Sequence, residues 1–350
     1  MRRNHLLTGL FLLVAYGLSS QDIHFSHIHA SPVHLNPAMT GVFDKGEIRL
    51  IGNSRLQWET FTKGYKTLAA GVDAKIFSLN STSTLSGGIQ VYADRAGDLN
   101  FSTNRVDLNL AVQKTFDRQS RNMISLGFQG GYINHSIDYS KMIGYEQEDE
   151  LLNFAPKSLN TWDLGLGMSW FHRVDRRDYF YLGGSAFHLN NPTISFFGEM
   201  DSNGRDSDME MGKVLYRKIV LHGGGKFKLS KNLSSLPSFI FMDQGPHREV
   251  KVGSFFKYRN SRSQKRKDYA VYLGAWLRWY AEMDMWGTDA VNLSVRLDHG
   301  TSIFTFSFDV NISKLTQASH GLGGPEFSII KVLEWDKPKP KRSKVKCPAI

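Results

Sequence analysis

The sequence has almost no cysteine and, after its first residues, no long apolar run. Its single cysteine, Cys347, lies near the end of the 350-residue chain, so an intramolecular disulfide framework is excluded. After residue 20 no run of 18 or more apolar residues occurs, and the sequence therefore predicts no transmembrane helix. A chain of this length can bury a sizeable core without disulfides. Any span of a membrane would have to be made of β-strands.

The sequence also lacks the common motifs of catalysis. It contains no GxSxG elbow, no HExxH pair and no phosphate-binding loop. The run Gly223-Gly224-Gly225-Lys226 has neither the spacing nor the hydroxyl of a phosphate loop. A hydrolase inside a barrel would need Ser, His and an acid to converge, which spacing alone cannot show. We expect a protein that is not an enzyme and that binds no cofactor.

Positive charge is concentrated in two short stretches, although the net charge is +10. Residues 257–267 carry six basic side chains and no acidic one, and a tail after residue 336 carries six more. Neither stretch interleaves aromatics with basic residues as a nucleic-acid surface would, so we expect no nucleic-acid partner. Solvated loops are one interpretation, and contact with an anionic surface or protein is the other. The basic residues of the tail are Lys337, Lys339, Lys341, Arg342, Lys344 and Lys346.

Residues 1–20 have the pattern of a secretory signal peptide. Arg2 and Arg3 precede an apolar run, and small residues follow it. Cleavage after Ser19 would place Gly17 and Ser19 at the two small positions, and cleavage after Ser20 is the alternative. Because no cysteine follows, a lipoprotein is not expected. The sequence therefore predicts export.

Residues 21–46 have neither a helical nor a strand period. Pro32 and Pro37 exclude a long helix or a central strand here, and we expect an ordered, irregular segment that could fill the lumen of a barrel. Its histidines suggest a metal site, but no cysteine or carboxylate follows at a ligand spacing. Packing and hydrogen bonding are the expected use of these histidines, and no metal site is predicted. They are His24, His27, His29 and His34.

Residues 290–310 give the clearest pattern in the chain. Apolar side chains alternate with polar ones on both sides of a turn at His299-Gly300, as in a β-hairpin with one apolar and one polar face. Similar alternation recurs along the chain and predicts about fourteen strands, most of them nine to twelve residues long. The predicted strands are residues 48–58, 67–77, 84–93, 105–116, 123–137, 162–172, 179–189, 217–229, 236–243, 250–258, 269–280, 290–298, 301–310 and 325–335.

Strand length decides between a soluble β-sandwich and a barrel in a membrane. Strands of soluble proteins average five or six residues, whereas a tilted membrane-spanning strand needs about 9–11. The sequence therefore predicts a transmembrane antiparallel β-barrel over residues 47–336, followed by a basic tail over residues 337–350. Aromatic residues near strand ends fit the girdles at the membrane surfaces; they are Trp58, Trp162, Trp170, Trp279 and Trp335.

Two of the longer connections are acidic. Residues 140–159 contain Glu146, Glu148, Asp149 and Glu150, and residues 190–216 contain the stretch DSNGRDSDME. This stretch does not have the spacing of an EF-hand, so calcium binding is not predicted. Solvated loops are the expected role.

The start of the mature chain resembles the opening signature of the PorP/SprF family of the type IX secretion and gliding machinery of Bacteroidetes. His27 stands where that family usually has Gln. Stretches such as DLGLGMSWFH, FHLNNPT and GGPEFSI then follow in the family's order, so that the resemblance covers almost the whole mature chain. The residues that match the signature are Gln21, Asp22, Phe25, Ser26, Pro32, Asn36, Pro37, Ala38, Gly41, Arg49, Arg55, Gln57 and Trp58.

This resemblance implies an outer-membrane barrel of a Gram-negative bacterium that works by binding partners. One implied role links an OmpA-like peptidoglycan-binding protein and periplasmic ring lipoproteins to the machine. The other serves a secreted adhesin or similar client with a type-B C-terminal signal. A general diffusion porin or small-molecule channel is the alternative, but fourteen strands are fewer than the 16–18 of open porins. We expect a closed or plugged lumen and a periplasmic basic tail.

Overall fold

The computed structural model describes residues 30–44, 46–57, 64–97, 100–116, 121–138, 157–175, 178–194, 214–259, 269–282, 285–313 and 321–334. The fold is a closed barrel of fourteen antiparallel strands. Each strand pairs with its neighbours in sequence, and β1 pairs with β14 from Ile48↔Leu333 to Arg55↔Glu326. Closure leaves the sheet without a lateral edge, as a membrane-spanning sheet requires.

All fourteen predicted strands are present. They are β1 (Ile48–Gln57), β2 (Tyr65–Asn80), β3 (Ser83–Ala96), β4 (Phe101–Thr115), β5 (Asn122–Ser136), β6 (Ser158–Arg173), β7 (Tyr179–Phe187), β8 (Lys218–Lys228), β9 (Leu233–Gln244), β10 (His247–Tyr258), β11 (Tyr269–Glu282), β12 (Met285–His299), β13 (Ser302–Asn311) and β14 (Leu322–Leu333). The predicted all-β transmembrane barrel is thus confirmed.

Six strands are longer than predicted. β2, β3, β4, β6, β11 and β12 run for 14 to 16 residues rather than nine to twelve. Alternation of apolar and polar residues marks only the part of a strand that faces lipid on one side and the lumen on the other. Where a strand continues beyond the membrane both faces meet water, so the sequence pattern stops before the strand does.

The wall has an apolar outer face and a polar inner face. On β4, Leu108 is 59% exposed whereas its neighbour Asn109 is 1% exposed. The same alternation repeats on the other strands, and exposed apolar residues such as Leu126, Leu166, Leu273 and Phe306 face outwards. A soluble protein would bury these side chains, and only a barrel surrounded by lipid leaves them outside.

The barrel has two rims, which we name from the chain termini. At the proximal rim β1 begins and β14 ends, and β2–β3, β8–β9 and β12–β13 are joined there by turns of two to four residues. The two longest connections, between β5 and β6 and between β7 and β8, leave the distal rim. Two-residue turns also occur at the distal rim, between β9 and β10 and between β11 and β12.

Aromatic residues lie near both rims of the wall. Near the distal rim Trp162 and Tyr132 pack edge to face, with ring centroids 5.2 Å apart. Near the proximal rim Trp170 packs against Phe180 at 5.4 Å. Two of the five predicted girdle residues, Trp58 and Trp335, lie outside the described residues.

Candidate functional site: the occupied lumen

Residues 30–43, which we call the inner segment, contact the inner face of the barrel. The segment contains a single-turn helix α1 (Pro32–Leu35) and a 3₁₀ turn (Pro37–Met39). Proline begins each of these elements, where its missing N–H costs nothing. Almost all of the segment is buried, and Asn36, Ala38 and Val42 have no exposed surface.

Wall side chains bind this segment mainly through its main chain. Ser125 Oγ donates to the carbonyl of Ala38 at 2.5 Å, and Gln113 Nε2 donates to the carbonyl of Thr40 at 2.8 Å. From the other side Ser185 Oγ donates to the carbonyl of Leu35 at 2.7 Å. The carbonyls that a short irregular segment leaves unpaired are thus satisfied by the polar wall.

Asn36 is the most connected side chain of the inner segment. Its Oδ1 accepts from the N–H of Ala38 at 2.9 Å and so caps the 3₁₀ turn. Its Nδ2 lies 3.0–3.1 Å from four acceptors on three neighbouring strands of the wall. Those acceptors are the carbonyls of Met168 and Gly184, Ser169 Oγ and His222 Nε2. One buried amide thereby joins the segment to β6, β7 and β8.

Two inward-facing glycines make room for the inner segment. A Cβ at Gly127 of β5 would overlap the backbone of Pro37 and Ala38. A Cβ at Gly167 of β6 would overlap the side-chain oxygen of Asn36. The Asn-Pro-Ala stretch therefore lies directly against the backbone of the wall.

A buried ion pair fixes the end of the segment where it turns into β1. Arg49 donates to both carboxylate oxygens of Asp73, at 2.9 and 2.8 Å. The same guanidinium donates to the carbonyls of Met39 and Val42, and Asp73 accepts from the N–H of Gly41 at 2.6 Å. Such bidentate pairs hold their groups in one orientation, so the segment and the first two strands form one unit.

A charged network lies on the inner face of β1, β11, β12 and β13. Asp309 of β13 accepts from Arg278 at 3.0 Å, from Arg55 at 3.2 Å and from the Asn292 amide at 2.7 Å. Arg278 also donates to Asp289 at 2.6 Å. Asp309 thus connects β1, β11 and β12 across the inner face.

A second charged network lies where β4, β5 and β6 approach the distal rim. Arg105 contacts Asp107 and Asp163, each at 2.6 Å, and the other oxygen of Asp163 lies 3.0 Å from His188 Nδ1. His188 follows β7 in a left-handed conformation, with φ of 59°, and is fully buried. Left-handed backbone is strained for residues other than glycine. The first residue after β7 is therefore held inwards by its contact with Asp163.

The residues of the predicted signature fall in different places. Pro32, Asn36, Pro37, Ala38 and Gly41 lie in the inner segment, where their contacts are those given above. Arg49 and Arg55 point inwards from β1 and belong to the two ion-pair systems, and Gln57 ends that strand. Phe25, Ser26, Trp58 and the six basic residues of the tail lie outside the described residues.

Sequence reasoning missed the charged networks and the pair of glycines. A signal was available for the arginines, because Arg105, Arg278 and Arg296 stand at inward positions of their strands. Some of their partners are local, since Arg105 contacts Asp107 and Arg296 contacts Asp298, each two residues further along the same strand. Other partners, such as Asp163 for Arg105, come from strands far apart in sequence, and no spacing reveals them.

Among the described residues no three His, Cys, Asp or Glu side chains are grouped as metal ligands would be. His34 packs edge to face on Tyr92, with ring centroids 5.9 Å apart, while His24, His27 and His29 lie outside the described part of the chain. No helix in the described part of the chain is long and apolar enough to cross a membrane.

The chain belongs to the PorP/SprF family, described as type IX secretion system membrane proteins. The family model matches residues 18–323. With the lipid-compatible outer face and the closed barrel, this assigns the protein to the outer membrane of a Gram-negative bacterium. Family membership and localisation therefore agree with the sequence-based expectation.

Several solved structures are similar to the chain at a low level. The CymD monoaromatic hydrocarbon channel has a TM-score of 0.45 at 9% identity, over 88% of this chain and 94% of that one. CdiB from Escherichia coli has a TM-score of 0.46 at 9% identity, over 80% and 62%. The toluene transporter TbuX of Ralstonia pickettii has a TM-score of 0.40 at 9% identity, over 86% and 92%. Among curated proteins none matches the sequence.

Proposed function

We propose that this protein is a closed outer-membrane scaffold of type IX secretion, which binds protein partners and conducts no solutes. The observation that carries the proposal is the inner segment, whose main chain is bonded to five strands of the wall. It is this occupied lumen, together with the buried ion pairs opposite, that argues against the general diffusion porin.

The proposed partners are of two kinds. One is a secreted adhesin or other surface protein with a type-B C-terminal signal. The other comprises an OmpA-like peptidoglycan-binding protein and periplasmic ring lipoproteins. Membership of the secretion family supports contact with the machinery, and the choice among these partners is part of the proposal. Catalysis plays no part in it.

The proximal rim is the proposed contact region for periplasmic partners. β14 ends at this rim, and the basic tail of residues 337–350 follows it in sequence. β10 also ends and β11 begins there, on either side of the second basic stretch. Two basic stretches at one rim favour an acidic partner, because complementary charge accelerates and orients association.

The test is affinity purification of the full chain from native outer membranes in mild detergent, followed by mass spectrometry. A variant with the six basic residues of the tail changed to serine is compared with wild type. We expect secretion components with wild type, and at least a tenfold loss of the periplasmic ones with the variant at low salt. Recovery of the same secretion components in equal amounts from both would contradict the role of the tail.

A matched control removes charge from the other rim. Glu146, Glu148, Asp149 and Glu150, between β5 and β6, are changed to Gln or Asn. Periplasmic partners should be retained.

Protease added to intact cells should leave the tail uncut, and removal of the tail would place it outside the cell instead.

A further inference from the structure

A row of inward-facing side chains near the proximal rim, which we call the rim row, is rich in positive charge. It crosses β8 to β12, and each member pairs in register with the next. Neighbouring strands lie about 4.8 Å apart, so the row is about 19 Å long. Its members are Lys228, Ser234, Lys257, Tyr272 and Arg296, three of them basic and none acidic.

The rim row lies above an apolar floor. Two residues deeper on β9 and β10 lie Leu236 and Phe255, which form a buried cluster with Tyr272 and Trp276. Phe255 has no exposed surface. A charged ligand would not enter this apolar cluster, so the row is approached from the proximal rim.

Several basic side chains at the row are open to solvent. Lys228 is exposed and Lys257 is partly exposed. Arg259, two residues nearer the rim on β10, is also exposed. A ligand outside the rim can therefore reach these side chains without any movement of the barrel wall.

The carboxylate that acts on Lys257 is already engaged by other groups. Asp298 accepts from Arg296 at 2.8 Å and from the Tyr272 hydroxyl at 2.5 Å. Lys257 instead lies over the Tyr272 ring, with Nζ 4.8 Å from the ring centroid. Among the described residues no carboxylate forms an ion pair with Lys257.

Positive charge therefore accumulates at the rim row. Lys226, Arg259 and Arg296 all act on Lys257, and Asp298 is the carboxylate that opposes them. Deeper in the barrel, by contrast, Arg49 is balanced by a bidentate pair with Asp73. Because a surface with an excess of one charge attracts the opposite charge, the row is suited to an anionic ligand.

The length of the rim row favours an extended acidic peptide over a small anion. A row of about 19 Å matches about six residues of extended chain, whereas one phosphate group would meet a single lysine. Beyond Arg259 the chain continues into the rest of the basic stretch of residues 257–267. A partner segment with several carboxylates could therefore meet basic groups along its whole length.

We propose that Lys228, Lys257 and Arg259 bind an extended acidic segment of a protein partner at the proximal rim. This inference rests on the proposed function and deepens it, because it assigns the acidic partner to named residues of the wall. Tyr272 and Arg296 position Lys257 and do not themselves contact the segment.

The experiment measures binding of a fluorescent octaglutamate peptide to the purified full chain in detergent at low salt. The double variant Lys228→Gln/Lys257→Gln is compared with wild type. Its control is Lys66→Gln/Arg95→Gln at the distal rim, where two exposed cross-strand neighbours lose the same charge. We expect binding to weaken about tenfold in the first variant and to stay unchanged in the control. Equal binding by all three proteins would overturn the proposal.

A second measurement needs no variant to fold. Wild type is treated with a water-soluble amine-acetylating reagent, with and without octaglutamate, and modified lysines are identified by mass spectrometry. The peptide should protect Lys228 and Lys257 and leave Lys66 unchanged. Protection confined to lysines after residue 336 would overturn this site and leave the proposed function standing. Equal protection by inorganic phosphate would mean a site for small anions, and would also overturn the proposal.

Discussion

The two sides of the lumen solve the same problem differently. Both sides carry buried polar side chains that bulk water reaches poorly, so these side chains need hydrogen-bond partners within the protein. On the side of β2 to β8 these groups bind a piece of main chain, through Gln113, Ser125 and Ser185. On β11, β12, β13 and the end of β1 they bind one another, through Asp309, Arg278 and Arg55.

Inward-facing polar residues along the strands therefore do not by themselves specify an open channel. Uncharged serine and glutamine side chains are suited to peptide carbonyls, and they occur where the inner segment lies. Buried charges require opposite charges. The Arg49–Asp73 pair also holds the inner segment, whereas Asp309, Arg278 and Arg55 pair with one another. The first side can be disturbed by expelling the segment, whereas the second can be disturbed only by breaking an ion pair.

Expelling the segment should have the largest effect. Gly127→Val places two methyl groups where the backbone of Pro37 and Ala38 lies, and we expect the inner segment to leave its place on the wall. Single-channel recordings of the purified variant should then show steady conductance. Gly130→Val on the same strand is the control, since only the Phe128 ring lies within 4 Å of a Cβ there, and it should stay silent.

Breaking the charged side should destabilise the barrel without opening it. Asp309→Asn removes the carboxylate shared by Arg55 and Arg278 and leaves buried positive charge uncompensated. We expect a loss of about 3–5 kcal/mol in the free energy of unfolding, measured by urea titration in lipid vesicles. Asp243→Asn breaks the partly exposed pair with Arg248 and should cost less than about 1 kcal/mol. Equal losses for the two variants would mean that the Asp309 network is as hydrated as the partly exposed Asp243–Arg248 pair.

The outer face gives an intermediate effect that is independent of either side. Leu110→Arg puts a charge on the lipid-facing surface of β4, where Leu110 is 53% exposed. Near the middle of the membrane the cost is about 2–4 kcal/mol, again measured by unfolding in vesicles. The same change at Asn104, toward the end of β4 nearer the distal rim, should be nearly neutral, and a large cost there would shift the membrane boundary.

Two changes at one position sharpen the role of the Asn36 amide. Asn36→Asp keeps the oxygen that caps the 3₁₀ turn but replaces the donor that faces the carbonyls of Met168 and Gly184. We expect it to lower the unfolding temperature more than Asn36→Ala does, because a second oxygen there repels those carbonyls. The opposite order would show that the cap matters more than the contacts to the wall.

Most of the barrel could be predicted from the sequence, and most of its interior could not. Alternation such as that in residues 290–310 depends on lipid outside and polar groups inside, so it located all fourteen strands. The contents of the lumen depend on which strands close on which, and the pairing of β1 with β14 brings Arg55 near Asp309 across 254 positions. No local sequence pattern predicts that these two residues meet.

The inner segment could be predicted only in part. Pro32 and Pro37 excluded a long helix and a central strand, and so indicated an irregular piece near the barrel. Its contacts could not be derived, because Ser125 and Gly127 resemble any other small residues of a lumen. Their role is visible only in the structure, where the backbone of Pro37 and Ala38 lies against them.

Conductance of the unmodified full-length protein in planar lipid bilayers tests the central claim most directly. With the inner segment in its place the account predicts a silent barrel, across a range of voltages and at high salt. A large and steady conductance from the folded wild-type protein would contradict it, and would favour a diffusion channel over a closed scaffold.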